Sequence, residues 1–129
     1  MIFSDLEISA IMCGLRKLAL VDEKLSIEEK QLYIQICNNL EATEYNTKLS
    51  SKLELNPAIT IEVVRTFSPK KKELYSALLY KMMNADGIED FSEESFIQGT
   101  YLFYNLPKIT PEKANELFNN FITNSLVDE

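Results

Sequence analysis

Apolar residues recur along this chain at the spacing of buried helical faces. Ile8, Ile11, Met12, Leu15, Leu18 and Ala19 follow the i, i+3, i+4, i+7 rule. Ser4-Asp5-Leu6-Glu7 just ahead of them is a capping box, in which serine and glutamate satisfy each other's free amides. From Leu18 to Val21 the helix is apolar on nearly every side, which predicts a central position. A second capping box, Ser26-Ile27-Glu28-Glu29, opens a helix with Leu32, Tyr33, Ile36, Cys37 and Leu40 on its inner face, ending near Asn39. Tyr45, Leu49 and Leu53 mark a shorter third helix, closed before Pro57 because a residue preceding proline avoids the helical region.

Ser68-Pro69 is the next start signal, with proline at the first helical position, where its missing amide costs nothing. Leu74, Ala77, Leu78, Met82 and Ala85 then form one row, flanked by Tyr75, Leu79 and Met83, in a helix that ends at residues 84–87. Ser92 caps a helix bearing Phe96, Tyr101, Phe103 and Tyr104, which Pro107 breaks. Thr110-Pro111 opens the last helix, with Ala114, Leu117, Phe118, Phe121 and Ile122 inward, and the pattern stops after Ser125. Core packing is the expected role of these aromatic residues.

One stretch is ambiguous. Ile59, Ile61 and Val63 alternate with polar residues as a half-buried strand would, but no second segment offers a partner strand, and an isolated strand is not stable. The expectation is a short helix from about Thr60 to Phe67. With three glycines and four prolines, the chain also lacks the turn residues of an all-β fold. The predicted architecture is all-α, a single compact domain over residues 1–129 built as a bundle of six to seven helices.

An acidic turn occurs twice in this pattern. Asp22-Glu23-Lys24-Leu25 precedes Ser26, and Asp86-Gly87-Ile88-Glu89-Asp90-Phe91 precedes Ser92-Glu93-Glu94. Each follows an apolar helix and leads into a capped one, so the chain contains two pseudo-repeated helix, acidic turn, helix units. Bland chemistry accounts for much of this: Asp and Gly are good turn residues, and Glu in a first helical turn complements the dipole. Two carboxylates about 4 Å apart, however, repel by roughly 4 kcal/mol at an effective dielectric near 20, unless a cation offsets them. If the two turns converge, Ca²⁺ or Mg²⁺ is the natural occupant, held by Asp22, Glu29, Asp86, Glu93 and Glu94. The second turn is not an EF-hand loop: counting from Asp86, position 3 is Ile88, Phe91 stands where glycine is needed, and Ile97 stands where the bidentate glutamate belongs.

These units resemble the TerB-like fold, the helical module of tellurite resistance proteins and of a membrane-anchored DnaJ-type co-chaperone. The resemblance spans residues 10–106 and rests on the pattern Asp, Gly, any residue, aliphatic, any three, Glu. Asp22, Leu25 and Glu29 match it, with Glu23 in place of glycine. Asp86 and Gly87 match in the second copy, but two extra residues delay the hydrophobe to Phe91, and Ser95 falls where the glutamate belongs. The resemblance implies an acidic surface able to hold divalent cations and a role in stress response or protein association. It carries over to Asp22, Glu29 and Asp86, with Glu93 and Glu94 as substitutes.

The net charge of −7 argues against nucleic acid, whose phosphates demand clustered Lys and Arg. The single basic run, Lys70-Lys71-Lys72, lies in a first helical turn, where it opposes the dipole, so it is either a solvated face or a docking patch for an acidic partner. Cys13 and Cys37 occupy apolar helical positions and read as buried thiols in a reducing compartment. The amino terminus has no signal-peptide pattern, and no run is long enough to span a membrane, so a cytoplasmic protein is expected. The chain has no histidine, which removes Ser-His and Cys-His nucleophiles and histidine-ligated metals, and it has no phosphate-binding glycine loop. The expectation is a non-enzymatic, TerB-like protein-interaction domain that takes a divalent cation at its paired turns and requires no other cofactor. A small carboxylate-metal hydrolase and a purely structural or oligomerising scaffold are the alternatives.

Overall fold

The computed structural model describes residues 2–19, 26–85 and 105–123. These residues form six helices: α1 (Asp5–Ala19), α2 (Ile27–Asn39), α3 (Glu44–Glu54), α4 (Pro57–Arg65), α5 (Pro69–Met83) and α6 (Pro111–Ile122). No strand occurs among them, so the fold is all-α. The helix expected after Ser92, with Phe96, Tyr101, Phe103 and Tyr104, lies outside the described residues.

The caps form as their sequences predict. Ser4 Oγ accepts from the Glu7 amide at 3.1 Å while Glu7 Oε1 accepts from the Ser4 amide at 2.8 Å. Ser68 and Thr110 accept from the amides of Lys71 and Lys113, each with proline at the first helical position.

Helix α1 is the axis of the molecule and lies against α2, α3, α4 and α5. Every residue from Ile8 to Leu15 is buried, including Ser9 and Gly14, so neighbours enclose α1 beyond the stripe that its spacing predicts. Helix α5 packs on α1, α2 and α6, with Leu74, Tyr75, Leu78, Leu79 and Met82 withdrawn from solvent. Phe118 and Phe121 of α6 close this side, their rings 6.5 Å apart. Asn39 Nδ2 donates to the Phe121 carbonyl at 3.2 Å, and Ser76 Oγ to the Pro107 carbonyl at 3.0 Å, which ties α6 and its approach to the bundle.

Two elements depart from the sequence pattern. Helix α4 begins at Pro57 rather than near Thr60, because proline again serves as a first residue. Its buried positions are Thr60, Val63 and Val64, and Thr60 Oγ1 donates to the Leu53 carbonyl at 3.2 Å. Helix α3 buries Leu53 as expected, but its face is rotated at the start: Asn46 and Ser50 are buried, while Tyr45 is 60% exposed. The cause is a polar tie. Asn46 Oδ1 accepts from the Thr43 amide at 2.7 Å, and its Nδ2 donates to Asp5 Oδ1 at 3.0 Å, fixing the start of α3 against the start of α1.

Candidate functional site

Asp22, Asp86, Glu93 and Glu94 lie outside the described residues. Glu29 lies within them, in the first turn of α2. Its amide donates to Ser26 Oγ at 3.0 Å, and its Oε1 accepts from the Ser26 amide at 3.3 Å. The residue is 2% exposed, and its Oε1 closes the capping box of α2. Among the described residues no group of three or more His, Cys, Asp and Glu side chains could hold a metal.

The helices that lead into the two turns are described, and their arrangement bears on the turns. Phe3 stacks edge-on against Phe67 at 6.5 Å, Lys71 Nζ lies 3.1 Å from Glu7 Oε1, and Gly14 meets Tyr75. Contacts that ascend together on both segments make α1 and α5 parallel. The Glu7–Lys71 pair is offset by 64 residues, as is the Phe3–Phe67 pair, and as are Asp22 and Asp86 in the sequence. The same offset relates Ala19 to Met83, the last residues of the two helices, so both helices end at the same end of the pair.

The close approach of the two helices depends on Gly14, whose contact with Tyr75 is offset by 61 residues, about one turn from the 64 of the pairs at the helix starts. A β-carbon there would stand 1.8 Å from the Tyr75 hydroxyl oxygen, so only glycine admits the ring at this point. Tyr75 is fully buried and also packs against Phe67, ring centroids 6.0 Å apart.

The basic run is divided. Lys71 turns inward, where its ammonium meets both Glu7 carboxylate oxygens, at 3.1 and 3.2 Å, and stands 5.4 Å from the Phe3 ring centroid. The side chains of this pair are 17% and 16% exposed, so Lys71 is an internal contact rather than part of a free patch. Lys70 faces solvent. Lys72 lines a shallow groove of about 380 Å³ with Pro69, Glu73, Asn105, Leu106 and Pro107.

Two further features lacked a sequence signal. The first is a cleft of about 390 Å³ among α1, α2 and the start of α3, in which Met12, Ile34 and Ala42 adjoin Arg16, Tyr33 and Glu44. Arg16 donates from Nε to Glu54 Oε1 at 2.9 Å; burial opposes its charge, but this carboxylate more than offsets that, and the guanidinium pKa is raised. Burial pushes the Tyr33 hydroxyl and the Cys37 thiol up, and it does the same to Cys13 deeper in the core. Raised thiols are protonated and unreactive near neutrality, so these cysteines pack rather than attack. The second feature is a groove of about 410 Å³ between the start of α1 and α4, lined by Ser4, Leu6, Glu7, Glu62, Val63 and Thr66. A helical-face count on α1 alone would place Leu6 off the buried stripe but could not show what lies beside it.

No sequence-family model matches the chain, and no curated protein matches it. Three solved chains match it in structure. One is a protein of unknown function from Porphyromonas gingivalis W83, with 20% identity and a TM-score of 0.74 over 92% of this chain and 98% of that one. At that identity the likeness is one of fold. Among the described residues no helix is long and apolar enough to cross a membrane.

Proposed function

We propose that this chain is a non-enzymatic, TerB-like helical module that binds a partner protein and holds a divalent cation between its two acidic turns. The observation that carries the reading is the parallel, in-register packing of α1 on α5. The offset of 64 residues that separates Asp22 from Asp86 is also that of the Glu7–Lys71 and Phe3–Phe67 pairs at the starts of the helices preceding them. Helices packed this way lie about 8–10 Å apart, a separation that side chains of two turns leaving the same end can bridge. Ca²⁺ or Mg²⁺ suits an all-oxygen donor set and would neutralise the repulsion that gathered carboxylates otherwise suffer. The cation would rest on Asp22 and Asp86 with Glu93 and Glu94, while Glu29 serves first as the cap of α2.

Exposed apolar side chains on an acidic surface support the partner-binding half of the reading: Ile27, Ile34, Tyr45, Leu55 and Ile59 are all exposed. Two tests apply. Cation binding to the folded state raises stability by about 2.7 kcal/mol at one hundred times the dissociation constant, so millimolar Ca²⁺ or Mg²⁺ raises the melting temperature of the native chain and not that of an Asp22→Ala, Asp86→Ala variant. An equal rise in both removes the ion site. For the partner, a photo-cross-linking residue placed in turn at Ile59, Tyr45 and Lys70 yields a discrete protein adduct in cells from at least one position. No adduct from any of the three refutes the interaction reading.

A further inference from the structure

The groove between the first turn of α1 and helix α4 has a shape and a charge of its own. On α4, Ile59, Glu62, Val63 and Thr66 fall at i, i+3, i+4 and i+7, which puts them on a single stripe. Ile59 is 50% exposed, and Leu6 on the opposite wall is 41% exposed, so two large apolar side chains border a groove that no element among the described residues covers. Ile2, two residues before the lining Ser4, is exposed as well.

The charged residues that line the groove, Glu7 and Glu62, are both acidic. Glu7 is neutralised from behind by Lys71, while Glu62 is exposed, as is the neighbouring Asp5, whose Oδ1 accepts from Asn46. Arg65 lies about a third of a turn from the middle of the α4 stripe.

We propose that this α1/α4 groove receives an amphipathic helix of a partner protein, with an apolar stripe against Leu6, Ile59 and Val63 and Lys or Arg flanking it toward Glu62 and Asp5. The proposal rests on the reading of the chain as an interaction module and names the partner's chemistry. The walls are two helices, and a third laid between them seats its side-chain ridge in the trough as helices in grooves commonly do. A strand finds no sheet edge to extend here, since no strand occurs among the described residues. A second copy of this chain, itself at −7, would bring like charge to an acidic face.

The test uses the full chain, isotopically labelled for amide NMR, and an 18-residue Leu/Lys peptide with helical apolar spacing. Two controls accompany it: the same composition scrambled to abolish that spacing, and a Leu/Glu twin. The Leu/Lys helix moves the amides of Leu6, Ile59, Val63 and Thr66, and both controls bind at least tenfold more weakly. Leu6→Ser, Ile59→Ser retains the native spectrum, because both side chains are half exposed or nearly so, and loses at least tenfold in affinity. Glu62→Gln weakens binding and flattens its salt dependence. Equal binding of the scrambled peptide, shifts scattered over other faces, or an unchanged serine variant overturns the proposal. So does a concentration-dependent dimer that the serine variant dissociates, which would make a second copy the occupant. If the peptide series fails while adducts still form at Tyr45 or Lys70, the groove assignment falls and the interaction reading stands; if both fail, both readings fall.

Discussion

Replacing Gly14 by alanine probes the contact that sets α1 against α5. Alanine gains about 1 kcal/mol over glycine in a helix interior. Against that gain, the added carbon would stand 1.8 Å from the Tyr75 oxygen, about 1.6 Å short of ordinary contact at 3.4 Å. The oxygen terminates a rigid ring that is fully buried and packed on Phe67, so the ring cannot swing aside and the helices must separate or shift. Overpacking of this kind costs about 1–3 kcal/mol, and a misfit wider than a bond length belongs at the upper end. The net loss is about 2 kcal/mol, which for a chain of this length lowers the melting temperature by about 7 °C. Thermal unfolding followed by circular dichroism reads it directly. Tyr75→Phe in the Gly14→Ala background removes the clashing oxygen and restores part of the loss, and a double-mutant cycle gives a coupling of about 1 kcal/mol or more. A Gly14→Ala protein as stable as the parent, or more stable, would refute the close crossing of the two helices.

Other consequences follow from the same packing. Lys71→Met leaves Glu7 without its cation in a poorly hydrated site and costs about 1 kcal/mol, whereas Lys70→Gln changes stability by less than about 0.5 kcal/mol; urea midpoints of the two variants separate the cases. Both thiols are held above the ordinary value of 9.0, mainly by burial. The unfolded chain therefore releases their protons first as pH rises, and stability falls from about pH 9 upward until the folded-state values are passed. A Cys13→Ala, Cys37→Ala variant shows a shallower decline in stability between pH 8 and 10.5, and an identical slope would remove the thiols as its cause.

Local hydrogen bonding made much of this fold legible in the sequence. The boxes at Ser4 and Ser26 and the starts at Ser68 and Thr110 are complete within four residues, so nothing distant can alter them. The inner faces of α1 and α5 were equally plain, since their apolar rows recur at helical spacing. Helix α3 was misread because Asn46 owes its burial to Thr43 and to Asp5, 41 residues away, and a bond of that span leaves no trace in periodicity. The inward turn of Lys71 was hidden for the same reason: its partners Glu7 and Phe3 belong to another helix start, and a dipole argument sees only the local cost.

The candidate site was legible in one respect and opaque in another. The spacing of the acidic turns could be counted in the sequence, and the same offset reappears as the packing register of α1 and α5. The α1/α4 groove could not be found that way, because its walls come from residues more than 50 positions apart, such as Leu6 and Val63.

The paired-turn site is tested most directly by calorimetric titration of the intact chain with Ca²⁺ and with Mg²⁺, comparing it with Asp22→Ala, Asp86→Ala and the double variant. A shared site predicts one cation per chain, a loss of at least tenfold in affinity for either single variant, and no saturable heat for the double. Two independent sites, one surviving intact in each single variant, or heat in the double variant equal to that of the parent, would contradict it.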